Sequence, residues 1–286
     1  MKHREALPSG GSVVDLTFPS PYRPHYSPYT DEFETYKENI TAHARWFRSL
    51  RPRTTMICLH GLGGGGYFLE ERAFAVRSWV RMGVDVVLFQ MPFHGNRRPS
   101  QAPRASVMFP TAHVVRTNEA FGQAVCDLRA LIGWLKDHEV PNLGFFGMSL
   151  GAYTAALMAS VQEDLDFAVP MIPAACLTEL MWRNRKRATE GGAIDQIRIT
   201  KEHLERVFRV HAPLCRPPRI PIDRRFLVGG RSDRVTGPEQ AEALWKHWDR
   251  PEIYWIPGAH LAQVGRSDAF RALHAWLRSK GLVSGK

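Results

Sequence analysis

The sequence has no long hydrophobic run. No segment reaches the roughly eighteen consecutive apolar residues that a membrane-spanning helix needs, so no such helix is predicted. The N-terminal stretch MKHREALPSGG has no apolar core of the kind that a secretory signal requires. Cysteine is also scarce: Cys58, Cys126, Cys176 and Cys215 are widely spaced and form no CxxC pair. These absences predict a cytoplasmic protein with free, mostly buried thiols.

The sequence also lacks zinc-finger spacing, an RNP-like motif and a phosphate-binding loop, which argues against a nucleic-acid partner. Its net charge is nevertheless +10, and the sharpest basic run is RNRKR at 183–187. Two interpretations remain. The run attracts anionic lipid, phosphate or nucleic acid, or it belongs to a solvated, arginine-rich surface, which we favour. Contact with a membrane surface and the oligomeric state stay open.

What is present is enough apolar sequence for a large core: hydrophobic residues make up 44% of the 286 residues. Short apolar runs alternate with amphipathic stretches along most of the chain. Strands are predicted at 54–60, 84–90, 143–148, 167–172, 224–230 and 251–258. Helices are predicted at 68–83, 114–138, 150–161, 237–248 and 267–280. This alternation predicts an α/β fold with a mostly parallel central sheet and helices on both faces.

Interruptions of this alternation of strands and helices divide the chain into three predicted regions. Residues 1–50 are predicted to form an N-terminal arm, irregular and Pro-rich at first, with a helix at 31–49 packed on the core. Residues 51–172 and 222–286 are predicted to form the core. The charged, helix-patterned segment 173–221 ends in a Pro-rich stretch and is predicted to be an inserted helical cap. Its apolar side chains either line an acyl pocket or form the cap's own core, which we favour.

The segment LGFFGMSLGAYTA contains the strongest chemical signal. It places Ser149 between Gly147 and Gly151, at a predicted change from strand to helix. A G-x-S-x-G sequence is common by chance and is compatible with a plain glycine-rich bend. In this context it predicts a nucleophile elbow, a sharp turn that exposes the serine hydroxyl. The glycines keep side chains away from a crowded turn.

A serine nucleophile needs a base, and the base needs an orienting acid. Around a nucleophile elbow the chain order is serine, acid, histidine. Asp233 follows one predicted C-terminal strand, and His260 follows the next. Loops at the carboxyl ends of parallel strands share one edge of the sheet, so we expect Ser149, Asp233 and His260 to meet. Five competing residues of this region lie in helices, in a turn or before a strand: Asp223, Glu239, His247, Asp249 and His274.

An acyl-transfer site also needs two donors for the developing oxyanion. The backbone N–H of Leu150, directly after the nucleophile, is one candidate. The other is the N–H of Leu62, in the loop HGLGGGG after the strand at 54–60. His60 is expected to be structural. The four glycines at 63–66 either admit a bulky acyl group or form a flexible loop without a substrate role.

Candidate substrate contacts are Gly61, Met148 and His94. His94 belongs to the loop MPFHGNRRPS, which ends a strand at the same predicted edge. Its polar groups, including Arg97 or Arg98, either contact the substrate or pack under the cap, which we favour.

Four segments carry a resemblance to the α/β-hydrolase fold superfamily. HGLGG, FFGMSLGAYTA, GGRSDRVTGP and IPGAHLA resemble its oxyanion loop, nucleophile elbow, acid loop and histidine loop, in family order over most of 54–280. Within the superfamily, MPFHGNRRP and HWDRPEIYWIPGAHLA are similar to the group of α/β-hydrolase-domain protein eighteen. That similarity assigns no substrate.

The resemblance implies an esterase-like serine hydrolase acting on a small-molecule ester or lipid-like acyl substrate, without a metal or organic cofactor. It implies His260 as base, Asp233 as orienting acid and an acyl-enzyme on Ser149. Two alternatives stay open: an acyltransferase that uses the same triad, and a catalytically silent binding protein on the same fold.

Overall fold

The computed structural model describes residues 1–7, 10–103, 106–184 and 199–283. In these ranges the strands form a single sheet of nine, ordered β1-β2-β3-β5-β4-β6-β7-β8-β9. The strands are β1 Lys2–Ala6, β2 Ser12–Pro19, β3 Thr41–Arg48, β4 Thr54–Leu59, β5 Val84–Phe89, β6 Leu143–Met148, β7 Phe167–Met171, β8 Phe226–Gly230 and β9 Glu252–Ile256. The helices are α1 Thr30–Thr35, α2 Tyr67–Ala73, α3 Val76–Arg81, α4 Val114–Asp137, α5 Leu150–Val161, α6 Leu177–Arg183, α7 Lys201–Phe208, α8 Pro238–His247 and α9 Arg266–Ser279.

The six strands from β4 to β9 pair in parallel and form the body of the sheet, as predicted. Every residue of β4, β5 and β6 is buried. Parallel strands read as near-continuous apolar runs because helices cover both faces of the sheet. Two hydrophobic clusters accordingly lie on the two faces. The carboxyl ends of β4, β6, β8 and β9 lead into the loops that carry the predicted site residues.

The predicted helix at 31–49 is wrong beyond Thr35. Helix α1 ends there, and strand β3 begins at Thr41. In β3 the buried residues Ala42, Ala44 and Trp46 alternate with partly exposed ones, which is the strand period. β3 pairs with β2 on one side and with β5 on the other, antiparallel to both. Residues 1–50 therefore extend the central sheet by three strands instead of forming an irregular arm.

Two smaller predictions also need correction. The single helix predicted at 68–83 is divided in two, because Ala75 adopts a left-handed conformation with φ of 51°. The four cysteines are free, as expected, but only Cys58 is buried; Cys215 is exposed. In the ranges that the structure describes, no helix is both long and apolar enough to cross a membrane.

The described part of the predicted cap contains α6 and α7, which pack against each other. Leu204 and Phe208 are buried in a core cluster, and Val207 is exposed. Met181 and Trp182 are partly buried against the same cluster. This cluster is the one that covers one face of the sheet, and Phe208 also lines a cavity beside α5. Whether the apolar residues of the cap line an acyl pocket or form the cap's own core stays a prediction. Two further apolar residues of the predicted cap lie outside the described ranges: Ile194 and Ile197.

The basic run at 183–187 is described only through Asn184. The Arg183 guanidinium contacts the Glu239 carboxylate at 2.7 Å and donates to the carbonyls of Val235 and Thr236 at 2.6 and 3.0 Å. This arginine therefore ties the cap to the loop after β8. Attraction of the whole run to anionic lipid stays a prediction.

A buried ion pair joins the loop after β5 to helix α4. The guanidinium of Arg97 lies 2.7 Å from the carboxylate of Asp127, and both side chains are fully buried. Ser20, from the N-terminal region, donates a hydrogen bond to the same carboxylate at 2.6 Å. Arg97 is therefore a structural residue that faces the protein interior.

Replacing Asp127 by alanine is expected to lower the free energy of unfolding by about 3–5 kcal/mol, because it leaves the buried charge of Arg97 without its partner. Urea unfolding measures this change. Asp164→Ala is the matched control, since Asp164 pairs with Lys136 at the surface and its loss is expected to cost less than about 1 kcal/mol. Equal losses in the two variants would contradict the structural role of the buried pair.

Candidate active site

Ser149 lies at the junction between β6 and α5, as the sequence predicts. Its φ of 54° and ψ of −112° are unusual for a residue with a side chain. A Cβ on Gly147 would lie 2.1 Å from the carbonyl oxygen of Gly151, and one on Gly151 would lie 1.9 Å from that of Leu59. Neither position has room for a side chain. Gly147 is thus required by its close approach to the first turn of α5, and Gly151 by the packing of that turn against the end of β4.

The three residues predicted to form a triad are connected by hydrogen bonds. Ser149 Oγ lies 2.9 Å from His260 Nε2, and His260 Nδ1 lies 2.8 Å from Asp233 Oδ2. Asp233 follows β8 and His260 follows β9. Both side chains are almost completely buried. With Asp233 ionised, Nδ1–H donates to the carboxylate and Nε2 is left to accept the serine proton.

The carboxylate of Asp233 accepts three further hydrogen bonds. Oδ1 accepts from the backbone N–H groups of Val235 and Thr236 at 2.8 and 3.0 Å, and Oδ2 accepts from Thr236 Oγ1 at 2.7 Å. Burial opposes ionisation, but the hydrogen bonds from His260, Thr236 and Val235 outweigh it and hold the pKa of Asp233 below its usual range. Asp233 therefore stays an acceptor throughout the neutral range.

Thr236 was not a candidate from the sequence. The signal that would identify it is a hydroxyl residue three positions after the acid, where side chains of a turn bond to one another and to backbone N–H groups.

The N–H groups of Leu150 and Leu62, the predicted oxyanion donors, are both without a protein acceptor among the described residues. Leu150 is the first residue of α5, so its N–H has no acceptor within the helix and lies at the positive end of the helix dipole. Leu62 lies in the loop between β4 and α2. In the described part of the chain its N–H donates to no protein acceptor. A Cβ on Gly61 would lie 3.4 Å from Ser149 Cβ, which brings this loop into contact with the nucleophile.

His60 has a structural position, as expected. Its Nδ1 lies 2.8 Å from the carbonyl oxygen of Gly61, and its Nε2 lies 3.1 Å from the backbone nitrogen of Met91. These partners fix the tautomer, since Nδ1–H must donate and Nε2 must accept. Complete burial, with His94 nearby, lowers the pKa of His60 to about 3. Through these two hydrogen bonds the neutral ring connects the loops after β4 and β5.

The other candidate substrate contacts have different surroundings. The side chain of Met148 is buried in a core cluster. His94 is also buried, with Nδ1 2.9 Å from the Pro92 carbonyl and its ring centroid 5.0 Å from that of His60. A Cβ on Gly61 would lie 3.4 Å from Ser149 Cβ, and Met148 directly precedes Ser149 in the chain. Substrate contact by these residues stays a prediction.

A cavity of about 430 Å³ lies between α5, the start of α6 and the part of the cap formed by α7. Tyr153, one turn after the nucleophile, and Ala175 belong to its wall. Ala174, next in sequence to Ala175, donates its N–H to the Ser149 carbonyl at 3.3 Å. Ser149 itself does not line the cavity. In the described ranges, no group of three or more histidine, cysteine or acidic residues is placed to bind a metal ion.

A buried polar chain connects α5, α4 and the cap. Tyr153 Oη lies 2.7 Å from His211 Nδ1, and His211 Nε2 lies 3.0 Å from Asn118 Oδ1. Asn118 in turn donates to the Val207 carbonyl at 3.1 Å. Burial, together with the charge of Arg216, lowers the pKa of His211 to about 3. His211 therefore remains neutral in the folded protein.

Stability is expected to fall as the pH drops below 6.5, because the unfolded chain then binds a proton that folded His211 does not bind until about pH 3. In a His211→Gln variant the fall between pH 6.5 and 5 is expected to be shallower by roughly 1 kcal/mol per pH unit. Urea unfolding across this range measures both slopes. Parallel slopes would show that His211 is not held neutral.

Residues 25–179 match the family model described as alpha/beta hydrolase domain containing 18. The chain belongs to this family. Two curated relatives from Mycobacterium tuberculosis, from strains CDC 1551 / Oshkosh and H37Rv, are each 33% identical over 278 residues. Both are named as uncharacterized proteins. The match covers 95% of this chain but only 65% of each relative, so the chain spans about two thirds of their length.

Solved structures share the fold at low sequence identity. An acetyl xylan esterase from Paenibacillus sp. R4 superposes with a TM-score of 0.68 at 16% identity, covering 95% of this chain and 86% of that one. Acetyl xylan esterase 1 from Thermoanaerobacterium sp. JW/SL YS485 gives 0.68 at 17%, covering 97% and 86%. Est1E from Butyrivibrio proteoclasticus, solved with ferulic acid bound, gives 0.58 at 12%, covering 98% and 99%. The fold is therefore the α/β-hydrolase fold. Membership of this family supports the general assignment of the chain as a hydrolase.

Proposed function

We propose that this family member is a serine hydrolase that cleaves a carboxylic ester or a related acyl compound through an acyl-enzyme on Ser149. The observation that carries the proposal is the unbroken hydrogen-bonded chain from Ser149 Oγ through His260 to Asp233. A serine hydroxyl alone is a poor nucleophile. In this hydrogen-bonded arrangement His260 is the base that the serine needs, and Asp233 is the acid that orients the base.

In the first half-reaction, His260 Nε2 takes the proton from Ser149 as Oγ attacks the ester carbonyl. The carboxylate of Asp233 holds the ring in the required tautomer and stabilises the imidazolium that forms. The oxyanion accepts hydrogen bonds from the N–H groups of Leu62 and Leu150. His260 then gives its proton to the departing alkoxide, which leaves an ester of Ser149.

In the second half-reaction, His260 takes a proton from a water molecule that attacks the acyl-enzyme. The second tetrahedral intermediate uses the same two N–H donors. Its collapse returns the proton to Ser149 and releases the carboxylic acid. Every proton and every charge in this cycle is handled by the chain's own groups, so the proposed reaction needs no metal or organic cofactor.

The proposal is tested with p-nitrophenyl esters of increasing acyl length. We expect release of p-nitrophenol, with an optimum acyl length that reflects the space beside Ser149. Product analysis with an added alcohol separates hydrolysis from transfer: free acid as the main product supports the hydrolase, and the new ester supports an acyltransferase. A folded protein that releases no p-nitrophenol above the buffer rate from any ester would contradict both.

A further inference from the structure

The glycine-rich loop from Gly61 to Gly66 is held in place by two side chains from outside it. The amide Nε2 of Gln90 donates to the carbonyl of Gly65 at 2.6 Å. The carboxylate of Glu70 accepts from the N–H of the same residue at 3.0 Å. Gly65 is therefore bound on both its polar groups, from the end of β5 on one side and from helix α2 on the other.

Gln90 is itself anchored at several points. Its Oε1 accepts from the backbone N–H of Asn96 at 3.0 Å, so the amide can present only its nitrogen to Gly65. Its backbone carbonyl accepts from Arg97 at 3.3 Å, and Arg97 is fixed by the buried ion pair with Asp127. The Gln90 side chain is 2% exposed. An anchored, buried amide of this kind can set the position of the loop that it binds.

The way in which the loop is anchored also explains why glycine stands at positions 64, 65 and 95. A Cβ on Gly64 would lie 2.5 Å from Glu70 Oε1, and Gly65 has a φ of 98°. A Cβ on Gly95 would lie 2.6 Å from the amide of Gln90. The groups that hold the loop thus occupy the space that side chains would need. Close contacts therefore exclude a side chain at Gly64, and Gly65 is favoured by its positive φ and close neighbours, whereas a Cβ on Gly63 or Gly66 would meet nothing within 4 Å. The two hydrogen bonds to Gly65 disfavour the interpretation as a flexible loop.

This arrangement bears directly on Ser149. Gly61 lies near the nucleophile, since a Cβ on it would be 3.4 Å from Ser149 Cβ. Leu62, the candidate oxyanion donor, lies in the chain between Gly61 and the anchored Gly65. A donor must stand within a few tenths of an ångström of its productive position to stabilise the transition state fully. We infer that Gln90 and Glu70 are positioning residues that hold the Leu62 N–H at the oxyanion site. The inference rests on the proposed function, because it assigns a role in that reaction.

The test replaces Gln90 by methionine, which keeps the length of the side chain and removes both hydrogen bonds. We expect kcat for the best p-nitrophenyl ester to fall about 10- to 100-fold, with KM changed less than about threefold, because the lost interaction acts in the transition state. Amide hydrogen exchange in the peptide that covers 61–66 is expected to become about tenfold faster.

Gln123→Met is the matched control. Gln123 is also fully buried and exchanges hydrogen bonds with Asn39, but it makes no contact with the loop. We expect this variant to lose stability while keeping the kcat and the loop exchange of the parent. If Gln90→Met matches Gln123→Met in both measurements, the positioning role is overturned.

Two variants of Glu70 keep the test decisive if Gln90→Met does not fold. Glu70→Gln retains an acceptor for the Gly65 N–H and is expected to resemble the parent; Glu70→Met removes the acceptor and is expected to reproduce the exchange increase and the loss of kcat. Equal behaviour of the two would overturn the inference. Should the parent cleave no ester, the proposed function fails by that result alone, and loop exchange still decides whether these side chains hold the loop.

Discussion

Ser149→Ala is expected to lower the rate of ester hydrolysis by about 10⁴-fold or more. The substitution removes the only atom that the proposed cycle acylates, while the base, the acid and the two N–H donors remain. The rate that remains in the variant reflects substrate binding and direct attack by water, with the oxyanion stabilised by the two N–H donors. Ester hydrolysis by purified variant and parent, at equal concentration of folded protein, measures the loss.

Ser160→Ala is the matched control for this substitution. Ser160 lies in the same helix α5, is also buried, and donates only to the carbonyl of Leu157 at 2.7 Å. We expect its activity to stay within about twofold of the parent, because its hydroxyl bonds to its own helix and not to the triad. Substantial activity in Ser149→Ala would remove this serine from the proposed mechanism.

Asp233→Asn is expected to lower kcat/KM by about 10³- to 10⁴-fold with little change in structure. The backbone N–H groups of Val235 and Thr236 both donate to Oδ1, so the amide oxygen of the new asparagine must occupy that position. Its NH₂ group then faces His260 Nδ1. That nitrogen is forced to become the acceptor, and the proton moves to Nε2, where the base should be.

The control is the same change at Asp166, a partly buried aspartate outside the site whose carboxylate accepts the Leu143 N–H at 2.7 Å. An asparagine oxygen replaces this acceptor directly, so activity is expected to persist. If Asp233→Asn retains activity equal to that of Asp166→Asn, the acid does not set the tautomer of His260.

The triad was predictable because its signals are local. The glycines on either side of Ser149 indicate a crowded turn. Asp233 and His260 each follow an apolar run that is typical of a strand. The topology then brings the three loops to one edge of the sheet. Nothing further was needed to place residues that lie far apart in sequence.

The N-terminal strands were not predictable in the same way. Strand β3 is defined by its partners β2 and β5, and the latter follows it by about forty residues. Its mixed aromatic and polar residues fit a helix nearly as well as a strand, so tertiary pairing decided the outcome. Strands β1 and β2 show the same dependence, since in the described ranges β1 pairs with β2 and β2 pairs with β3.

The residues that support the site were also missed, for a different reason. The side chains of Gln90 and Thr236 make hydrogen bonds whose partners depend on loop conformation. A glutamine at the end of a strand carries no pattern that identifies the carbonyl it will meet. Residues 185–198 of the predicted cap lie outside the described residues.

The central claim, that Ser149 is an activated nucleophile, is tested most directly by a fluorophosphonate probe on the intact, folded protein. Mass spectrometry of the protein and of its peptides then locates the adduct. We predict one adduct per chain, on the peptide that contains Ser149, and none in Ser149→Ala. A folded parent without an adduct, or an adduct on another residue, would contradict the claim and favour a binding function for the fold.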